Sequence, residues 1–431
     1  MTLRTFIIFG FFMVLSCKPE ERTNSKHGKI LHQLDSLLAT HEYFLFRTYL
    51  EKYKTSLPEK EKTIYSAFAD NAFNHVAASN QTIETLLANH VGISDSVIAK
   101  LLFIQRDNFI KLYQYRKAFE TGEILLSKYA THIDTLQAKH IRNLNILYRA
   151  IADVPPQQVE LKKEEIIKWQ RDKVGLMNVS VQTTDAKYDF VFDTRASIST
   201  ITTTYANKLK LRVLDMPYEE SSGITGNTFK TYPAIADSVY VGGLLLRNVI
   251  FQVVPDDILA FPSINYQING IIGFPVITQW KEVHIHENGT IAIPLKVTKS
   301  PLHNLAFDES TTVINLKTDV DTLSFHFDSG ATSTMLYYNF LKRFEQDVTS
   351  KARKETSELG GAGGIKKSET YVYPVFAIYA GGKRNELTDI QVLNAPVYPG
   401  QKFYGNIGQD LLKNYKETIL NFEDMYFDLK E

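Results

Sequence analysis

The 431-residue chain is 44% hydrophobic and balances 48 Lys and Arg against 48 Asp and Glu. It is therefore long and apolar enough to bury two to four cores, and it has no net field to draw in nucleic acid or an anionic bilayer, so nucleic-acid binding has no support. A single cysteine, Cys17, leaves no partner for an internal disulfide.

At the N-terminus, Arg4 precedes an apolar run from Phe6 to Leu15 that is too short to span a bilayer and fits a secretory core segment. Val14-Leu15-Ser16-Cys17 resembles a bacterial lipobox, and the resemblance implies cleavage before Cys17 and lipid attachment to it. Residues 1–17 are thus expected to be a lipoprotein signal peptide and 18–29 a polar tether, with the mature protein exported and anchored in a membrane of the cell envelope.

From residue 30 to 173 apolar residues recur at three- and four-residue steps, with few glycines and breaks near Leu57-Pro58, Gly92-Ile93-Ser94 and Pro155-Pro156, which predicts an all-α array of helical hairpins. The stretch from Asn108 to Ala130 resembles a tetratricopeptide-type hairpin with Tyr115, Ala118 and Leu125 facing inward, although the repeat length is irregular. Such an array offers a surface for a protein partner.

After Gly175 the chain turns to short alternating runs rich in Val, Ile, Thr, Tyr and Phe, which predicts an all-β region. That region is a tandem duplication. "YDFVFDT" ends on Asp193 and Thr194, "LSFHFDS" on Asp328 and Ser329, 135 residues further on. The same offset relates Ile271-Ile272-Gly273 to Asn406-Ile407-Gly408, and Trp280 to Tyr415. Between these anchors Tyr232-Pro233 matches Tyr373-Pro374, and Pro255 matches Pro396, at 141. Compensating loop changes leave the skeleton of the repeat intact. The predicted units are a lobe at 174–298 and a second at 299–431, so the chain as a whole is read as a multidomain α+β protein.

One Asp-Ser-Gly is a common turn. Two such loops at matched positions, each followed about eighty residues later by an apolar residue and glycine, are specific, and on them the second half of the chain resembles the aspartic proteases of the pepsin and retropepsin superfamily. The resemblance covers about 255 residues. It implies a bilobal fold of two small β-barrels around one cleft and hydrolysis of internal peptide bonds, with a polypeptide as substrate and no cofactor or metal. Carried over position by position, it makes Asp193 and Asp328 the catalytic pair and Thr194 and Ser329 the hydroxyls that lock the two loops together. Ile272, Gly273, Ile407 and Gly408 become the loop supports, and Gly330 the motif glycine. Two carboxyls held this close share one proton, which suits one to activate water and the other to donate to the carbonyl oxygen.

Arg195 stands where the first loop should carry glycine. Its guanidinium can turn to Asp193, it can point into the cleft and read an acidic substrate, or the loop can be distorted and turnover lost. The alternative function is accordingly an inactive, peptide-binding lipoprotein. "GITGN" at 223–227 and "GGAGG" at 360–364 are candidate flap tips or plain hairpin turns. His284 and His286 share one face of a predicted strand, either as a metal pair lacking a third ligand or as an edge-strand surface pair. Asp410 has no counterpart in the first copy and reads as a surface or capping acid.

Overall fold

A computed structural model describes residues 26–89, 91–221, 225–397 and 400–431. The segment expected to be a signal peptide, with Cys17 as the expected lipid attachment point, lies outside the described residues. The fold is a multidomain α+β arrangement, helical to residue 150 and β-rich beyond it. By compactness the chain forms two units, one ending at Lys62 and one running from Thr63 to Glu431.

The first unit holds α1 (Lys26–Ala39) and α2 (Tyr43–Tyr53), a helical pair that buries Leu34, Phe44, Phe46 and Leu50. Helix α1 begins inside the segment expected to be tether, so the helical region starts at Lys26 rather than at residue 30.

The second unit opens with the remaining helices, α3 (Glu59–Ala72, of which the part from Thr63 belongs here), α4 (Val76–Ala88), α5 (Asp95–Lys111), α6 (Tyr115–Lys128) and α7 (Thr135–Ala150). The Asn108–Ala130 stretch spans the end of α5, a tight turn with Tyr113 at positive φ, and α6. Helix α6 buries Tyr115, Ala118 and Leu125, the inward positions read in the sequence, together with Thr121 and Gly122. At Gly122 a Cβ would lie 2.8 Å from Asn145 Cγ of α7, so glycine sets how closely these two helices approach. Asp134 starts α7 with a capping box, accepting from Gln137 N at 2.8 Å.

The helices pack on the first β lobe through one apolar cluster that joins Phe109, Tyr115, Leu147 and Tyr148 to Tyr218, Ile235 and Ile250. Tyr113 Oη donates to Pro275 O at 2.6 Å, and Asn74 Nδ2 to Phe422 O at 2.7 Å. Asn143 of α7 grips the strand Tyr218–Ser221 from both sides of Glu219: its Oδ1 accepts from Glu219 N at 2.9 Å and its Nδ2 donates to Glu219 O.

Two segments expected to be helical are strands: Gln158–Val159, which pairs antiparallel with Leu244–Val254, and Glu165–Arg171. Glu165–Arg171 pairs antiparallel with Met177–Gln182 on one side and with Thr290–Ile293 on the other. The run "KKEEIIKWQR" is rich in good helix formers, but Ile167 is buried on one face while Ile166 and Lys168 point out, and a ladder on each edge outweighs local propensity.

The duplication appears as matching registers. In the first lobe Gly270–Ile272 runs parallel to Lys187–Phe192 (Ile271 opposite Val191, Ile272 opposite Phe192) and antiparallel to Ser199–Thr202 (Ile271 opposite Thr200). In the second, Gly405–Ile407 runs parallel to Thr322–Phe327 (Asn406 opposite His326, Ile407 opposite Phe327) and antiparallel to Met335–Leu336 (Asn406 opposite Met335). At the back, Glu282–His286 pairs antiparallel with its own duplicate, Glu417–Asn421, so that His284 faces Ile419, its counterpart in the repeat.

Trp280 is buried at the foot of the first lobe with its ring stacked on Phe192, centroids 6.0 Å apart and planes 14° from parallel. Phe192 immediately precedes Asp193. W280A is therefore expected to cost about 3–5 kcal/mol of stability, read as a lowered denaturation midpoint in urea.

Candidate active site

Each aspartate ends a buried strand and is turned out of the sheet by the strand that supports it. Asp193 N donates to Ile272 O and Asp328 N to Ile407 O, both at 3.0 Å. The glycines behind them admit no side chain. At Gly273 a Cβ would meet the backbone of Ala196 and Ile198, and at Gly408 that of Ala331 and Ser333. Their own N–H groups donate to hydroxyls at matched positions, Gly273 N to Ser199 Oγ and Gly408 N to Thr334 Oγ1, both at 3.1 Å.

The two loops are joined by an exchange between Thr194 and Ser329, both buried. Thr194 N donates to Ser329 Oγ (3.0 Å) and Ser329 N to Thr194 Oγ1 (3.1 Å). Each hydroxyl then donates to the backbone preceding the other lobe's aspartate, Thr194 Oγ1 to Phe327 O (2.9 Å) and Ser329 Oγ to Phe192 O (2.8 Å). The structure thus brings Asp193, Thr194, Asp328, Ser329 and Gly330 to one point, with Ile272, Gly273, Ile407 and Gly408 directly behind.

The carboxylates lie on the wall of a cleft of about 1050 Å³. Asp193 Oδ1 accepts from Arg195 N (2.8 Å) and Ala196 N (3.0 Å). At Gly330 a Cβ would lie 2.5 Å from Asp193 Cγ, so glycine is required on the second loop because the first loop's acid occupies that space. Asp328 Oδ1 accepts from Gly330 N (2.9 Å), and its Oδ2 from the Asn406 amide Nδ2 (2.9 Å). Burial, and next the charge of Asp328, push the Asp193 carboxyl up to about 7, against the opposing pull of the Arg195 and Ala196 N–H groups and the Arg195 guanidinium.

Arg195 does not distort its loop. The exchange of hydrogen bonds is complete with arginine in place, and its guanidinium carbon lies 5.9 Å from the centre of the Tyr337 ring, among the residues lining the cleft.

Over the cleft, the hairpin Arg353–Gly361 and Gly364–Ala380 of the second lobe carries the "GGAGG" turn. Of the "GITGN" turn, residues 223 and 224 lie outside the described residues. Its remainder touches the other tip: Thr225 Oγ1 donates to Ala362 O and Asn227 Nδ2 to Gly363 O, each at 3.2 Å. Both tips therefore meet over the same groove, with Glu220, Phe229, Glu358 and Leu359 facing into it.

Two sequence expectations are corrected. Asp410, read as a surface or capping acid, is half-buried rather than on the open surface. It lines the cleft and holds the second loop's flank, accepting from Thr334 N (2.8 Å) and Thr334 Oγ1 (2.7 Å). His284 and His286 lie on a strand flanked on both sides, by Thr290–Ile293 and Glu417–Asn421, not on an edge. His284 is clamped between Glu417 (2.7 Å) and Glu282 (2.8 Å). Burial opposes its charge, but these two acids prevail and raise its affinity for a proton. No group of three or more His, Cys, Asp or Glu placed to hold a metal occurs among the described residues.

Asn406 and Gln409 were missed in the sequence. Gln409 Nε2 donates to Ser329 O at 2.7 Å. The signal was available, because the first copy has Ile271 and Phe274 at these positions and a polar residue replacing an apolar one in a buried repeat marks a contact.

Residues 179–276 match the aspartyl protease family model, a span that contains the Asp193 loop and the Gly270–Ile272 support. No curated protein matches the chain. The first lobe is thus aspartyl-protease-like by sequence pattern, and the second repeats its registers and its loop.

The carboxyl pair makes stability depend on pH. An unfolded aspartate loses its proton near about pH 4, whereas the folded Asp193 keeps it to about 7. Between these values the folded state binds more protons, so stability falls as pH rises through that window. D193N is expected to lose this part of the slope, as measured by urea unfolding at pH 4, 5.5 and 7.

Proposed function

We propose that the chain is an aspartic-type endopeptidase. The observation that carries this reading is the reciprocal hydrogen bonding of Thr194 and Ser329, which sets Asp193 and Asp328 side by side in one cleft. A polypeptide strand lies in the groove beneath the two hairpins, and a water sits between the carboxyls. Asp328 takes a proton from the water as its oxygen attacks the peptide carbonyl carbon, while Asp193, neutral up to about pH 7, donates its proton to the carbonyl oxygen. The tetrahedral diol then collapses. Asp328 passes its proton to the departing nitrogen, the C–N bond breaks, and a diol hydroxyl returns a proton to Asp193. Water and one peptide bond become a carboxylic acid and an amine, with the pair restored. The pair titrates as a unit.

A second reading, a peptide-binding protein without turnover, is favoured by one observation, Arg195 in the glycine position. The preserved loop hydrogen bonds support the enzyme over it. The lipobox at Cys17 supports an exported protein anchored by lipid in the cell envelope, and the helical hairpins, tetratricopeptide-like in pattern, support a protein partner or substrate-delivery surface. The lobes are proposed to divide near residue 298.

Purified protein lacking residues 1–17, incubated with an unfolded protein from pH 3 to 8, tests the chemistry. Cleavage is expected below about pH 7 and declines above it as Asp193 loses its proton. D193N and D328N each lower it about a thousandfold or more, and R195G retains it. Cleavage that survives both asparagine changes removes the proposal. Peptide binding without cleavage in the parent, with cleavage gained in R195G, establishes the second reading. For the anchor, C17S is expected to move the full-length protein from the membrane to the soluble fraction.

A further inference from the structure

The two lobes share their registers around the carboxylates, and besides Arg195 against Gly330 on the loops they depart from each other at the residue directly behind each acid. Ile271 and Asn406 occupy the same place in the repeat, each opposite the same pair of ladder neighbours 135 residues apart: Val191 and Thr200 for one, His326 and Met335 for the other. Isoleucine has nothing to offer a carboxylate. Asparagine donates Nδ2 to Asp328 Oδ2 at 2.9 Å in a buried contact. The amide is not there for packing. Asn406 is buried, and its Oδ1 has no hydrogen-bond partner among the described residues, a cost that an aliphatic side chain at this site would not carry. With Asp328 ionised, only the donor orientation is favourable, since the opposite one would set a carbonyl oxygen against the carboxylate.

We propose that Asn406 is a positioning residue that makes the two carboxyls unequal: its amide holds the negative charge on Asp328, which leaves the shared proton on Asp193 and assigns the water-activating oxygen to the second lobe. A hydrogen bond from a neutral donor is stronger to an anion than to a neutral acid, so the donor selects which member ionises. The inference rests on the peptidase reading, since only a pair that works as acid and base needs its roles assigned. The raised proton affinity of Asp193 agrees with it.

Other titratable and charged groups lie near the pair or line the same cleft. Arg195 approaches Asp193 from its own loop, and His326 lies across the ladder from Asn406. From the cleft walls come Glu220, Glu358, Asp389 and Asp410. Glu358 is paired with Lys367, Asp389 with Arg353, and Asp410 is held by Thr334.

The test is kcat/KM against pH for cleavage of a short peptide identified as a substrate of the parent. N406I, which copies the first lobe, is expected to move the acidic limb to higher pH by about one unit, and N406Q, which keeps the amide, to move it less. I271N gives Asp193 a donor of its own and is expected to move the limb to lower pH. The double variant I271N/N406I keeps one donor per pair and returns the limb towards the parent, where a merely structural role predicts additive losses. A limb unmoved in N406I, while D193N and D328N still abolish cleavage, overturns the assignment and leaves the peptidase intact. If N406I melts below the assay temperature, I271N is read alone, and an unmoved limb there overturns the assignment equally. Cleavage that persists in D193N and D328N overturns the peptidase reading itself.

Discussion

Two hydroxyls, Thr194 and Ser329, hold this β architecture to its purpose. Each receives the other's backbone N–H and donates to the carbonyl before the other's aspartate. Without that exchange, two buried carboxyls would have every electrostatic reason to separate, since like charges in a poorly solvated groove repel and one of them must stay protonated. The neutral hydrogen bonds supply what the acids cannot: they fix distance and orientation from the backbone side, leaving the carboxylate faces open to the cleft. Behind them, glycines at 273 and 408 let each loop lie directly on its support.

The skeleton is symmetric and the chemistry is not. One loop carries Gly330 and the other Arg195. One support strand presents Asn406 and the other Ile271, and the short helix after each support begins with Gln409 in the second lobe and Phe274 in the first. The polar member sits on the second lobe in the last two pairs, so Asp328 and Ser329 each receive a side-chain hydrogen bond that Ile271 and Phe274 cannot supply in the first. A duplicated fold begins with two equal acids, whereas acid–base work on a peptide needs an unequal pair. On the proposed reading, the substitutions in the layer behind the loops supply that inequality while the backbone registers of both copies stay matched.

The repeat was legible in the sequence because its anchors are the positions with least freedom: an acid at the end of a buried strand, and a glycine against which another backbone lies. Their spacing survives while loops lengthen and shorten between them. Glu165–Arg171 was not legible, because its charged, helix-favouring residues are overruled by ladders formed with partners at 177–182 and 290–293. The histidines at 284 and 286 misled for a related reason, since exposure at a strand edge cannot be told from burial between strands until the neighbours are known. Asp410 likewise gained its role only when Thr334 came within reach. Asn406 is the instructive omission: alignment of the two halves displayed the substitution, and only the distance to Asp328 gave it meaning.

The pairing at the back of the molecule limits how the lobes can be assembled. Where Glu282–His286 meets Glu417–Asn421, the residue at the middle of one strand faces its own duplicate, so a twofold pivot passes between His284 and Ile419. The exchange between Thr194 and Ser329 defines a pivot too, and two points determine a line. Sliding the rear ladder by a single residue would shift one pivot off the other and tear the front contact, so the strands far from the groove act as an alignment gauge for atoms they never touch.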